Sequence, residues 1–136
     1  MRIIVADDRP AVRSALRLLL DERSHHQVVG EVGDARRLTE TIAAAQAELL
    51  LFDWELPGLR PSRFLAAARR RWPALGLVAM SSRPEAREAA LAAGADAFLP
   101  KTDPPERVLA ALASVCRALE GRRGRPPAGS AHSEPG

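Results

Sequence analysis

The chain has little of several features that define common protein classes. Its one cysteine, Cys116, excludes an internal disulfide and is typical of a protein in a reducing compartment. There is no tyrosine, and only three phenylalanines and two tryptophans, which disfavours a protein that stacks nucleic-acid bases. No signal peptide is evident before Asp7 and no apolar run approaches about 18 residues, so we expect a cytoplasmic protein with no membrane span.

Charge is nearly balanced except towards the end of the sequence. Residues 1–120 hold 17 basic and 16 acidic side chains, a net +1, and residues 121–136 add three arginines against one glutamate, a net +2. This is weak evidence for a nucleic-acid partner, and we expect no direct nucleic-acid binding by residues 1–120. Lys101 is the one lysine among 20 basic residues, so its position carries information.

Five short apolar runs alternate with five amphipathic stretches. The runs are 3–6, 28–32, 49–52, 75–80 and 97–99, and the helical stretches are roughly 10–22, 34–46, 60–71, 84–93 and 104–119. Short apolar strands that alternate with helices predict a doubly wound α/β fold, (βα)₅, with a parallel sheet covered on both faces. We predict one domain over residues 1–120, followed by a disordered basic, Pro/Gly-rich tail or linker start over 121–136.

Polar residues at the helix starts are candidate caps. Asp8 is one for the first helix, Asp34 for the second, Ser82 for the fourth and Asp103 for the fifth, because short polar side chains accept hydrogen bonds from the first free N–H groups. We expect Cys116 to be packed within the last helix. His25 and His26 fall in a polar segment that we expect to be solvated.

Acidic residues close two of the apolar runs. Asp7 and Asp8 follow the first, Asp53 follows the third, and Ser81 and Lys101 follow the fourth and fifth. Parallel strands end at one edge of their sheet, where ligands bind in open α/β folds. Three carboxylates there would repel each other, and Mg²⁺ (or Mn²⁺) relieves this. A carboxylate that then attacks phosphorus needs counter-charges on the phosphoryl oxygens, which Lys101 and the Ser81 hydroxyl supply.

Four segments together resemble the receiver domain of bacterial two-component response regulators. They are Ile4–Pro10, Leu50–Gly58, Val78–Ser82 and Ala93–Lys101, in the usual order and spacing over about residues 1–120. The resemblance implies a flavodoxin-like sheet with strand order 2-1-3-4-5. The opening Ala-Asp-Asp-Arg-Pro is most similar to receivers that usually carry a helix-turn-helix DNA-binding domain.

The resemblance also implies a role for each acidic position. Asp53 would accept phosphate from a histidine kinase. Asp7 and Asp8 would hold Mg²⁺ together with the Asp53 carboxylate and the backbone carbonyl of Glu55. The chain would then be a phosphoacceptor switch and not an enzyme.

The remaining implied roles concern the response to phosphate. Ser81, in place of the common threonine, would close onto the phosphoryl group, and Lys101 would pair with it. Phe98 would be the switch aromatic that swings inward, although it lacks the hydroxyl that some receivers use. Glu55 and Arg83 would flank the path of attacking water and modulate the lifetime of the phosphate.

The implied output is a changed surface formed by the fourth helix, the fifth strand and the fifth helix. It would act on a downstream protein or on an output domain outside this sequence, and phosphorylation-linked homodimers are a further expectation. Three alternatives stay open: a receiver-like scaffold that is never phosphorylated, an aspartyl-phosphate hydrolase, and a flavin- or nucleotide-binding domain. The hydrolase normally has Asp-x-Asp after its first strand, and the nucleotide binder needs a phosphate loop there that Asp7-Asp8-Arg9 does not offer.

Overall fold

The computed structural model describes residues 1–123, and predictions for residues 124–136 lie outside it. Five strands alternate with five helices. The strands are β1 (Arg2–Ala6), β2 (Gln27–Val32), β3 (Leu49–Asp53), β4 (Gly76–Ser81) and β5 (Ala97–Pro100). The helices are α1 (Pro10–Arg23), α2 (Leu38–Ala45), α3 (Pro61–Arg71), α4 (Ala86–Ala92) and α5 (Pro105–Arg123). This confirms the predicted (βα)₅ fold.

The strands form one parallel sheet in the order β2-β1-β3-β4-β5, as predicted. Successive side chains of a strand point to opposite faces of the sheet, so the apolar strands build two cores. On one face lie Ile4, Leu50, Phe52 and Leu77 with the buried sides of α2, α3 and α4. On the other lie Ile3, Val5, Leu51 and Val78 with α1 and α5. No helix in residues 1–123 has the length and apolarity that a membrane span requires.

The strand order places a topological switch between β1 and β3. The chain leaves β1 for β2 on one side, then returns to pair β3 on the other side of β1. In such sheets the loops after the two strands separate and leave a crevice at the carboxyl edge. Asp7 and Asp53 lie at that crevice because each is at the carboxyl end of its strand.

Two helices differ in extent from the sequence prediction. The second begins as a 3₁₀ turn (Ala35–Arg37) before α2, with the Asp34 carboxylate accepting the N–H of Arg36. Helix α5 continues through Arg123, about four residues past the predicted end of its stretch at residue 119. Near its last turn the Arg122 guanidinium is 3.4 Å from the Asp96 carboxylate, a contact that apolar periodicity does not predict.

Three of the predicted caps are wrong. The carboxylate of Asp7, not Asp8, accepts the N–H of Arg9 at the start of α1. Before α4, the Ser81 hydroxyl, not Ser82, accepts the N–H of Arg83. In both cases the polar residue at the strand end forms a local turn two residues long. Asp103 lies too early to cap α5, because the Pro104 carbonyl accepts the N–H of Val108.

Asp96, just before β5, fastens two strands and a helix. Its carboxylate accepts the backbone N–H of Leu77 at 2.8 Å and a guanidinium N–H of Arg69 at 2.8 Å. The side chain is only 14% exposed, whereas that of Arg122 is 49% exposed. Removal of Asp96 therefore leaves a strand N–H of β4 without its acceptor, while removal of Arg122 costs only a solvated ion pair.

We expect Asp96→Ala to lower the free energy of unfolding by about 2–3 kcal/mol, because a buried donor loses a charged acceptor. The matched variant Arg122→Ala should lower it by less than about 1 kcal/mol. Urea denaturation followed by circular dichroism measures both. An equal loss of unfolding free energy in the two variants would show that the hydrogen bond from Leu77 N is not the main contribution of Asp96 to stability.

Candidate functional site

Three carboxylates meet at the carboxyl edge of the sheet. Asp7 and Asp8 follow β1, and Asp53 ends the neighbouring strand β3. One oxygen from each lies within 4.8 Å of the others. Asp7 and Asp53 are buried, at 0% and 3% exposure, whereas Asp8 is exposed to solvent. The cluster thus has a buried floor and an open side from which an ion or a substrate enters.

Lys101 is the cation of this cluster. Its Nζ lies 2.6 Å from Asp7 Oδ2 and 3.1 Å from Asp53 Oδ2. The backbone places it there, because Lys101 N donates to the Ser81 carbonyl and so continues the pairing of β5 with β4. Burial opposes the charge of the ammonium, but the carboxylates of Asp7 and Asp53 outweigh it and raise the pKa of Lys101. One ammonium among three carboxylates leaves the cluster net negative.

Asp7 is held from several directions. Its Oδ1 accepts the N–H of Arg9, and its backbone carbonyl accepts Arg13 Nη1 at 2.6 Å. Its buried Oδ2 has no hydrogen bond. The Lys101 ammonium lies 2.6 Å from Oδ2 and forms an ion pair with it.

A buried carboxylate oxygen whose close partner is a single ammonium, next to two further carboxylates, fits a hard divalent cation. Oxygen donors are the ligands of Mg²⁺, which also keeps several waters and so needs few protein ligands. Asp7, Asp8 and Asp53 therefore form a cluster with the chemistry to hold a metal ion. The Glu55 backbone carbonyl stays a predicted fourth ligand.

Asp53 is fixed at the end of β3. Its Oδ1 accepts the N–H of Glu55 at 2.9 Å, and the next peptide, Trp54 N, donates to the Met80 carbonyl at 2.7 Å. Both contacts hold the carboxylate in one orientation at the bottom of the crevice. A carboxylate oriented beside an ammonium is a competent nucleophile toward a phosphoryl group.

Ser81, at the end of β4, is fully buried and bonded to Glu55. The Ser81 hydroxyl lies 2.8 Å from Glu55 Oε1 and 3.0 Å from Oε2. Arg83 Nε lies 3.4 Å from Glu55 Oε2, so the Glu55 carboxylate joins Ser81 and Arg83 across the mouth of the crevice. The resemblance places Glu55 and Arg83 on either side of the path of attacking water, but sequence reasoning missed the contact of the Ser81 hydroxyl with Glu55.

Two further residues complete the description of the site. Phe98 on β5 is 5% exposed and belongs to the core on the sheet face that α2, α3 and α4 cover, so its side chain is directed inward here. Arg13 was missed by sequence reasoning, although it contacts the Asp7 carbonyl and the Glu31 carboxylate at once. No sequence signal separates it from the other arginines of an arginine-rich chain.

The sequence matches the family described as the response regulator receiver domain over residues 3–113. Among curated proteins it is similar to the uncharacterized transcriptional regulatory protein YhcZ of Bacillus subtilis strain 168, 27% identical over 111 residues that cover 80% of this chain and 52% of that protein. It is 34% identical over 120 residues to the response regulator MprA of Mycolicibacterium vanbaalenii, covering 86% of this chain and 51% of that protein. The chain thus spans about half the length of these two relatives.

The fold of this chain is also similar to solved structures of response regulators. The isolated REC domain of RcsB from Salmonella enterica serovar Typhimurium, determined with the phosphomimetic BeF3⁻, is 25% identical with a TM-score of 0.76, over 86% of this chain and 88% of that chain. A two-component response regulator of the LuxR family from Aurantimonas sp. SI85-9A1 is also 25% identical with a TM-score of 0.76, over 88% of this chain and 85% of that chain.

Proposed function

This chain belongs to the family of response regulator receiver domains, and on that premise we propose that Asp53 accepts a phosphoryl group from a histidine kinase. The transfer depends on Mg²⁺ (or Mn²⁺) and needs no other cofactor. The observation that carries the proposal is the buried Asp53 carboxylate beside Asp7 and within 3.1 Å of the Lys101 ammonium. Receiver domains are phosphoacceptor switches, so the product is a modified protein.

The transfer exchanges one bond to phosphorus for another. A carboxylate oxygen of Asp53 attacks the phosphorus of the phosphohistidine, the nitrogen–phosphorus bond breaks, and the leaving imidazole takes up a proton. Asp53 then carries an acyl phosphate. The contact from Glu55 N orients the carboxylate for this attack, and Lys101 is close enough to contact the incoming phosphoryl oxygens.

We assign the metal site to the carboxylates of Asp7, Asp8 and Asp53 with the Glu55 carbonyl. When bound, the cation neutralises phosphoryl oxygens and reduces the repulsion between those oxygens and the carboxylates. Asp7 is prepared for this role, since its Oδ2 is buried without a hydrogen bond. Arg13 positions Asp7 by bonding its carbonyl.

Phosphorylation then competes for the Ser81 hydroxyl. In this structure the hydroxyl donates a hydrogen bond to the Glu55 carboxylate. We propose that after phosphorylation it donates this hydrogen bond to a phosphoryl oxygen instead. Glu55 thereby loses a partner, and the loop between β4 and α4, which begins at the Ser81–Arg83 contact, follows Ser81. Phe98 on the adjacent strand stays inward and accommodates this movement, which changes the surface formed by α4, β5 and α5.

The proposed partners are a histidine kinase upstream and a transcriptional output downstream. The part of this chain that aligns covers about half the length of a curated transcriptional regulatory protein and of a curated response regulator. A related RcsB from Salmonella enterica serovar Typhimurium has been solved bound to promoter rprA. We therefore propose that the α4–β5–α5 surface controls an output domain or a separate protein, and that phosphorylation favours a homodimer.

The direct test is acetyl phosphate with Mg²⁺. We expect one base-labile phosphate per chain, and none when a chelator is added. Trp54 adjoins Asp53 and is 9% exposed, so a Trp72→Phe background leaves a fluorescence probe next to the phosphate. No labelling under these conditions would support a scaffold that is never phosphorylated, and continuous release of phosphate with multiple turnovers would support a hydrolase.

A further prediction concerns the lifetime of the acyl phosphate. The Glu55 and Arg83 side chains bridge the mouth of the crevice and restrict the path of attacking water. The Arg83 side chain is 57% exposed and that of Glu55 is 38% exposed, so this ion pair contributes little to the stability of the fold. We expect the double variant Glu55→Ala/Arg83→Ala to lose its phosphate several-fold faster than the parent at fixed Mg²⁺, measured as the rate of autodephosphorylation.

The control for this experiment is Glu88→Ala/Arg87→Ala, an exposed acidic and basic pair on α4 outside the site. It should lose phosphate at the parent rate. A double variant at positions 55 and 83 that dephosphorylates at the parent rate, or more slowly, would contradict the role of the bridge.

A further inference from the structure

Three side chains with soft or borderline donor atoms meet at the end of the sheet away from the acidic cluster. Cys116 Sγ on α5 lies 3.4 Å from Met1 Sδ and 3.9 Å from His26 Nε2. Met1 precedes β1, and His26 precedes β2. The prediction that His26 is a solvated loop residue is therefore wrong: it is half-buried with its ring against the thiol, while His25 beside it is exposed.

The cluster of Cys116, Met1 and His26 is notable because these residue types are rare in the sequence. The sequence has one cysteine, two methionines and three histidines. The cysteine, one of the methionines and one of the histidines come together from three separate elements. Cys116 belongs to the aliphatic core beneath α1 and α5, and its sulfur also contacts a thioether and an imidazole.

We propose that Cys116, Met1 and His26 form a binding site for a soft monovalent metal ion, with Cu(I) as the ion of best fit. Thiolate and thioether sulfurs select Cu(I), and imidazole also binds copper. A thioether is a poor ligand for Zn²⁺, which takes thiolate, imidazole and carboxylate. The ligand set is therefore distinct from the oxygen cluster of Asp7, Asp8 and Asp53, which suits Mg²⁺.

The distances suit an ion with three ligands in a plane. Bonds of about 2.0–2.3 Å to nitrogen and sulfur place such ligand atoms about 3.5–4 Å apart. The Cys116 sulfur is 3.9 Å from the imidazole nitrogen and 3.4 Å from the thioether sulfur. The sulfur–nitrogen distance lies in this range and the sulfur–sulfur distance is shorter by about a tenth of an ångström, and methionine is the most adaptable of the three side chains.

Binding forms three bonds to the ion and breaks one S–H bond. The Cys116 thiol releases its proton to solvent and coordinates as thiolate, and the Met1 thioether coordinates without a proton change. The Met1 amino nitrogen lies 3.1 Å from His26 Nδ1, so Nε2 offers its lone pair when Nδ1 holds the ring proton and donates it to the Met1 amine, which has released its extra proton to solvent. The copper stays Cu(I) throughout, so no electron is transferred. Because binding releases protons, the affinity for Cu(I) should rise with pH.

The experiment uses the full chain and Cu(I) alone, held reduced without oxygen and in competition with a chromophoric Cu(I) chelator. We expect one Cu(I) per chain, an ultraviolet thiolate-to-copper absorption band, and protection of Cys116 from alkylation by iodoacetamide. The loss of an outer-shell partner of a metal already costs about 10–100-fold in affinity, so Cys116→Ser should cost at least about 100-fold. His26→Gln should weaken binding at least about tenfold by the same comparison.

The matched control is His25→Gln, the same exchange one residue earlier on an exposed side chain. It should bind Cu(I) as tightly as the parent. Equal weakening by His25→Gln and His26→Gln would overturn the proposal, as would a parent that binds no tighter than Cys116→Ser. Should a variant fail to fold, the absorption band and the alkylation protection of the parent still decide, since absence of both would also overturn it.

Discussion

Asp53→Asn should fold like the parent and take up no phosphate from acetyl phosphate and Mg²⁺. Asparagine keeps an oxygen that accepts the N–H of Glu55, so the end of β3 is retained. Lys101 also keeps its ion pair with Asp7 at 2.6 Å. The amide, however, is a poor nucleophile toward phosphorus, and no other carboxylate is both buried and next to this ammonium in residues 1–123 except Asp7. Mass spectrometry of the intact chain measures the uptake.

The matched control is Asp103→Asn, the same exchange in the segment after Lys101. It should be labelled at the parent rate. Labelling that persists in Asp53→Asn would mean that another group accepts the phosphate, and labelling lost in both variants would mean that the assay reports something other than Asp53.

Lys101→Arg should keep the fold and Mg²⁺ binding, but phosphorylation of this variant should no longer produce the full conformational change. The Lys101 side chain is 14% exposed and contacts two carboxylates through one nitrogen. A guanidinium is a wide planar fork, whereas an ammonium is a compact point charge. Arginine therefore neutralises the carboxylates without fitting the same point contact to a phosphoryl oxygen. We expect the equilibrium between inactive and active forms to shift at least about tenfold less, about 1.4 kcal/mol.

Trp54 fluorescence in the Trp72→Phe background measures this shift, with Mg²⁺ affinity and the melting temperature as separate readouts. Arg83→Lys is the comparison, since it exchanges two cations at the exposed mouth of the same crevice and should switch like the parent. A Lys101→Arg chain that gives the full fluorescence change on phosphorylation would show that the compact ammonium is not required.

The fold could be predicted because its strands are short, continuous apolar runs that are easily recognised in the sequence. Apolar runs such as 49–52 are buried on both faces, and the helices between them carry stripes such as Leu112 and Leu119 that are buried here. The convergence of Asp7, Asp53 and Lys101 then follows from one rule, that parallel strands end at the same edge. Each of these residues is tied to a strand end, so its place was fixed once the strands were known.

The sequence could not predict which of two similar neighbouring residues makes a given contact. Asp7 and Asp8 are neighbours, and the turn to Arg9 uses the first, because it is the one that the strand buries. Likewise His26 rather than His25 faces Cys116. The bond from Ser81 to Glu55 joins residues 26 positions apart, and no periodicity in the sequence relates a strand-end serine to a loop glutamate.

Mapping the phosphorylated residue is the most direct test of the central claim. The chain is treated with acetyl phosphate and Mg²⁺, the acyl phosphate is reduced with borohydride, and the peptides are sequenced by mass spectrometry. An aspartyl phosphate reduced in this way becomes homoserine. We expect homoserine at position 53 and nowhere else in residues 1–123. Homoserine at position 7 or 8, a stable phosphate on Ser81, or no modification would contradict phosphorylation of Asp53.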